Sequence, residues 1–183
     1  GGAERSDAHK RQREEQNSLP VASMYYGFFT DGQEPTSRDD GEHTKGATPF
    51  WVVKVKPSVM IRTMPVQCKG VEDQAAIKET VESLNRLGYP ELIVRSDNEP
   101  AMLAFRDAVI RELKERFGVR AIVHAPPKYD SASASMMENA IKQVKEKVRS
   151  LVIATRELHG VVMDPEHVAL GVCVSLVTTF PLL

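Results

Sequence analysis

The sequence predicts an α/β fold in which a five-stranded mixed sheet is flanked by helices. Three observations predict it. Three runs rich in β-branched and aromatic residues come first, separated by turn-forming segments. The hydrophobic period then switches to three and four, twice alternating with short apolar runs. A long amphipathic stretch closes the series. The order β-β-β-α-β-α-β-α is an antiparallel meander extended by βαβ units. The 183 residues suit one domain of ordinary size.

The first strand is expected over residues 21–30, VASMYYGFFT. Residues 31–48 hold Gly, Pro, Asp and Ser without a large apolar side chain and read as a long loop. Residues 49–56, PFWVVKVK, and 59–68, VMIRTMPVQC, read as the second and third strands, with the turn at Lys56, Pro57 and Ser58. In residues 71–87, Ile77, Val81, Leu84 and Leu87 mark one helical face, stopped by Gly88 and Pro90. Residues 91–95, ELIVR, form a buried strand between breakers. SDNEP follows, with N-cap candidates and a proline suited to a first helical turn. Met102, Phe105, Val109, Leu113 and Phe117 stripe the next helix, and residues 119–124 read as the last strand. After a loop of small and turn-forming residues at 125–135, Met137, Ile141, Val144, Val148 and Leu151 mark a long helix to about Leu158.

Composition narrows the function. Lys and Arg number 24 against 25 Asp and Glu, a formal charge of −1, which excludes a histone-like basic chain but not a local basic stripe. Cys68 and Cys173 are too few for a disulfide scaffold or a four-ligand zinc site. The start has no apolar core of a signal peptide and no initiator Met, which points to a fragment of a longer chain. The longest apolar run, residues 168–183, is short and broken by Ser175, Thr178, Thr179 and Pro181. A soluble, reduced, intracellular protein without a membrane partner is expected. Residues 1–19, with Lys10, Arg11, Arg13, Glu14 and Glu15, read as a solvated leader, with a basic arm touching nucleic acid as the alternative. Residues 20–160 make the domain, and 161–183 a C-terminal helical extension opened by Pro165 and Glu166.

Two carboxylates stand out. Asp97 falls at the C-terminal end of a buried strand and at the mouth of a helix, where ligands gather in such sheets. Taken alone, an Asp that only caps the helix is the simpler reading. Glu138 is expected in the first turn of the long helix, where the helix dipole also favours it. Carboxylates from separate elements suit hard divalent cations, which phosphoryl transfer on nucleic acid uses. Lys142, Lys145 and Arg149 follow Glu138 at four, seven and eleven residues, on its face. Either a solvated face or a DNA backbone track accounts for these cations.

These residues resemble a family. SDNEPA (96–101) and PPKYDSASASMMENA (126–140), within this element order, are similar to the catalytic core of retroviral and retrotransposon integrases. The resemblance covers roughly residues 19–160. It implies a ribonuclease H-like fold with an Asp, Asp, Glu triad and metal-dependent DNA strand transfer in DNA integration. It further implies Mg2+ or Mn2+ as cofactor, DNA as partner, a homo-oligomer, and a nuclear site if the chain acts on chromosomal DNA. Asp97 matches the second Asp and Glu138 the Glu, both then metal ligands. Lys142, Lys145 and Arg149 match the helix that touches DNA. Ser135 stands where Gly is usual, and the spacing 138 − 97 = 41 is a few residues long.

The first Asp is missing. The position that resembles it is Tyr25, and Asp31, six residues later, is about 20 Å further along an extended chain. Tyr is neutral at pH 7 and a poor magnesium ligand. An integrase core inactivated at this position is therefore expected. A catalytically dead nucleic-acid-binding or assembly module of the same fold is the alternative, and a ribonuclease of that fold a third reading.

Overall fold

The computed structural model describes residues 19–29, 48–58, 60–124, 131–160, 162 and 173–174. The elements follow the expected order: β1 (Val21–Phe29), β2 (Thr48–Lys56), β3 (Ile61–Pro65), α1 (Gln74–Asn85), β4 (Glu91–Ser96), α2 (Pro100–Phe117), β5 (Arg120–Val123) and α3 (Ser131–His159). The five strands form one sheet in the order β3-β2-β1-β4-β5. β1, β2 and β3 pair antiparallel, whereas β1–β4 and β4–β5 pair parallel. α1 and α2 are the crossovers that parallel neighbours require. This mixed sheet with flanking helices is the arrangement expected from the sequence.

Alternation along β1 divides the core between two faces. Met24 and Tyr26 join Trp51, Val53, Phe105 and Leu84 in the cluster beneath α1 and α2. Tyr25 joins Phe50, Val52, Met137, Ala140, Val144 and Val148 in the cluster beneath α3. Cys173 and Val174, in a helical turn, are buried in that second cluster.

Capping chemistry sets the helix ends. Asp73 is the N-cap of α1, its carboxylate accepting from the Ala76 N–H at 3.0 Å. α2 begins with Pro100 in its first turn and ends at Gly118 in the left-handed region, φ 67°. Its N-cap is Glu99, not Ser96 or Asp97.

Two expectations are corrected. α3 starts at Ser131, so Glu138 lies seven residues inside the helix rather than in its first turn. The run SASAS contains no Gly or Pro, and its alanines are strong helix formers that outweigh the turn tendency of serine. Phe117 does not complete the buried stripe of α2. It is 39% exposed at the helix end, with the Arg116 guanidinium 5.0 Å from its ring centroid. Residues 1–18, 31–47 and 125–130 lie outside the described residues, and with them the leader, Asp31 and the loop before α3.

Gly27 is fixed by close approach. It pairs with Phe50, and a Cβ built on it would come within 2.5 Å of the Phe50 ring. Phe50 is fully buried and stacked on Phe29, with centroids 4.5 Å apart. Gly27→Ala should therefore destabilise by about 1–3 kcal/mol, as other overpacking changes do. Denaturant midpoints of the two chains check this, and an unchanged midpoint would mean the ring has room to move.

Candidate nucleic-acid and phosphoryl-transfer site

The parallel register of β1 and β4 builds the site. Partners run from Val21↔Ile93 to Met24↔Ser96, where the ladder ends. The next residue of β1 is Tyr25, and the next after β4 is Asp97. The two strands thus deliver Tyr25 and Asp97 to the same end of the β1–β4 ladder, one step beyond the last pair, while β1 runs on along β2 to Phe29. Continued one step past its last pair, the ladder would set Tyr25 opposite Asp97.

Tyr25 is 5% exposed and belongs to the apolar cluster under α3. Asp97 is half-buried at the start of the β4–α2 connection. Its Oδ1 accepts from the Glu99 N–H at 3.3 Å, and its carbonyl accepts from the Ser96 hydroxyl at 3.0 Å. The carboxylate is therefore turned back onto its own loop, as Asp side chains do when they organise a turn. Glu138 is exposed on α3, one residue after Met137, which is fully buried in the cluster that contains Tyr25. The helix bearing Glu138 thus lies over the Tyr25 face of the sheet.

Beyond Glu138 the helix carries cations on the same side. Lys142 is 75% exposed, its Nζ 4.0 Å from Glu146, a loose pair of the kind that contributes little. Arg149 is exposed and Lys145 half-buried. At about 1.5 Å per residue, the stretch from Glu138 to Arg149 spans roughly 16 Å. The neighbouring stripe, Met137, Ala140, Val144 and Val148, is buried. Ala140 was absent from the expected stripe and stands nearer its centre than Ile141, which packs at the margin.

The donor set can be tested against a divalent cation. Asp97 and Glu138 offer carboxylate oxygens; the third place offers a buried phenol. Among the described residues, no three His, Cys, Asp or Glu side chains are grouped to hold a metal ion. The described residues do not fit a pair of divalent ions.

Sequence reasoning missed the other side of β1. Tyr26 faces α1 and α2, and its hydroxyl accepts from the Gly70 N–H at 2.8 Å. Glu99 and Lys69 form an ion pair beside it. Glu99 could have been flagged, since it lies inside SDNEPA. Nothing local links it to Lys69.

Burial pushes the Tyr26 phenol up to about 12; the Gly70 N–H opposes this, while Glu99, Asp73 and Asp97 add to it. The ammonium of Lys69 faces the same ring, 5.7 Å from its centroid. Because the folded value exceeds the unfolded one of about 10, Tyr26 contributes stability that is full below pH ~10. That contribution, roughly 2–3 kcal/mol, is lost as pH rises from about 10 through about 12. Tyrosinate absorbance should include a late titration that accompanies alkaline unfolding and that Tyr26→Phe removes. Ionisation of all tyrosines near pH 10 in a folded chain would contradict the burial.

The architecture is that of an integrase-core-like, ribonuclease H-like fold. One solved structure agrees with it. A chain in the cryo-EM structure of the simian T-cell lymphotropic virus intasome in complex with PP2A regulatory subunit B56 gamma is similar, with TM-score 0.51 and 15% identity. That match covers 84% of this chain and 46% of the other, so the present chain spans about half the length of its relative. The crystal structure of the catalytic core domain of BIV integrase overlaps at TM-score 0.43 and 16% identity, over 84% of this chain and 78% of that one. No protein-family model matches the chain, and no curated protein matches it. Among the described residues, no helix is long and apolar enough to cross a membrane.

Proposed function

We propose that the chain is the integrase-type core domain of a retroelement, that it binds DNA along α3, and that Tyr25 suppresses the strand-transfer chemistry of its kind. The observation that supports this reading is the β1–β4 ladder, which ends one residue before Tyr25 on one strand and one before Asp97 on the other, with Tyr25 in the cluster under α3. Asp97 and Glu138 are the two oxygen donors the chain offers to Mg2+ or Mn2+, held weakly for want of a third carboxylate. Lys142, Lys145 and Arg149 meet phosphates. The domain occupies residues 20–160, with 161–183 as an extension, and it works as a homo-oligomer.

The rival, a module that keeps only the fold and binds or assembles, differs in what Tyr25→Asp does to activity. Electrostatic binding to the DNA backbone is common to both and is tested by salt. Each phosphate contact contributes about 0.9 to the slope of log affinity against log salt for duplex DNA. Replacing Lys142, Lys145 and Arg149 together by alanine should flatten that slope by up to about three and weaken binding at low salt by at least about tenfold. Fluorescence anisotropy on a labelled duplex measures both. An unchanged slope would remove α3 from the interface.

A further inference from the structure

The loop that carries Asp97 is held from outside the site. Glu99 is the N-cap residue of α2, yet its carboxylate makes no capping bond to that helix. It turns instead to Lys69 in the β3–α1 connection, with Nζ and Oε1 2.8 Å apart. The ammonium lies 5.0 Å from the Phe28 ring centroid and 5.7 Å from that of Tyr26, so two β1 aromatics flank it. Side-chain exposure is 19% for Lys69 and 27% for Glu99, which shields the pair more than most surface pairs.

The neighbouring residue is fastened as well. Gly70 donates to the Tyr26 hydroxyl, adopts φ +88°, and lies in ordinary contact with the first turn of α2, a Cβ built on it being 3.7 Å from the Ala101 carbonyl oxygen. The β3–α1 connection is thereby tied to β1 through Gly70 and to the start of α2 through Lys69 and Glu99. On the other side, the Glu99 backbone N–H is the donor to Asp97 Oδ1, and the Glu99 carbonyl accepts from Leu103 at 2.9 Å. One residue thus joins an anchored lysine to the carboxylate of Asp97.

We propose that Lys69 and Glu99 are positioning residues for the Asp97 carboxylate. This deepens the function proposed above and rests on it for the role of Asp97. The ion pair holds Glu99 where its N–H meets Asp97. Without Lys69, the Glu99 carboxylate is drawn to the unsatisfied N–H groups and positive end of α2, and its own N–H swings away from Asp97. The tie is distant in sequence and passes through no residue of α3, so it aims one ligand independently of the helix that bears Glu138.

Amide exchange in the full chain, read by NMR, tests this directly. Lys69→Met keeps the aliphatic stem and removes the charge. The Glu99 amide should exchange about tenfold faster, while the Leu103 amide stays protected, and Lys69→Arg should return the Glu99 amide to its original rate. Glu99→Gln, which weakens the pair without touching the lysine stem, should give the same response should Lys69→Met fail to fold. In the Tyr25→Asp chain, Mn2+ titration should show about tenfold weaker binding with Lys69→Met and recovery with Lys69→Arg. A Glu99 amide that does not respond in either folded variant overturns the proposal. A Tyr25→Asp chain that takes up no Mn2+ overturns the reading of the site instead, and the amide response still decides the positioning.

Discussion

Tyr25→Asp is expected to destabilise the cation-free chain by roughly 3–5 kcal/mol, and Mn2+ to return part of the loss. Tyr25 is 5% exposed within a cluster of Phe50, Val52, Met137 and Ala140. Replacing its ring by a carboxylate removes buried apolar area and leaves a cavity. It also places a charge among apolar side chains, next in register to Asp97. Like charges so close raise the cost further. A domain is stable by only about 5–15 kcal/mol, so the change takes a large share. A divalent cation reverses the sign of the local problem, since two neighbouring carboxylates then face a positive ion. Binding to the folded state alone adds about 2.7 kcal/mol at a cation concentration one hundred times the dissociation constant. Urea midpoints in EDTA and in excess Mn2+ measure the difference. The unmodified chain should show nearly the same midpoint in both. Equal stabilisation of both chains by Mn2+ would mean that position 25 is not part of any cation site.

The sheet was legible because its strands are written in local residue types. β-Branched and aromatic runs set β1, β2 and β4, and the change of period set α1 and α2. The start of α3 was not legible, because serine favours turns by itself and enters a helix when alanines and a buried stripe follow. Asp97 and Glu138 drew attention through their places at a strand end and on a long helix. Tyr25 did so only through resemblance, since a tyrosine in a strand is otherwise ordinary. The β1–β4 register adds a physical reason to single it out. What escaped notice depends on distance along the chain. Tyr26 and Gly70 are 44 residues apart, and Lys69 and Glu99 are 30 apart. No periodicity or spacing rule reaches that far. Only the sheet order, which returns β4 to the side of β1, brings those loops together.

Strand transfer by the unmodified chain is expected to be weak or absent, and Tyr25→Asp should raise it by on the order of 10²–10³-fold. The argument is one of charge. Two divalent ions held a few ångströms apart repel strongly, and anionic oxygens between them must offset that repulsion. Asp97 and Glu138 supply two negative charges against four positive ones. A neutral phenol adds none, and the Tyr25 ring occupies its place within the apolar cluster. Restoring a carboxylate recovers a few kcal/mol of charge stabilisation, and each 1.36 kcal/mol is a factor of ten in rate. Binding should follow a different course, because Lys142, Lys145 and Arg149 lie four to eleven residues beyond Glu138 on the exposed side of α3, away from the buried stripe that packs on Tyr25. The two chains should therefore bind an oligonucleotide end with similar affinity and similar salt dependence, while joining it to a target at very different rates. The assay pairs the two chains in Mg2+ and in Mn2+ at a temperature where both remain folded. Full activity in the unmodified chain would show that another group completes the site. An inactive Tyr25→Asp chain that still folds and binds DNA would show that more than one catalytic requirement has been lost, and would favour the binding module over the enzyme.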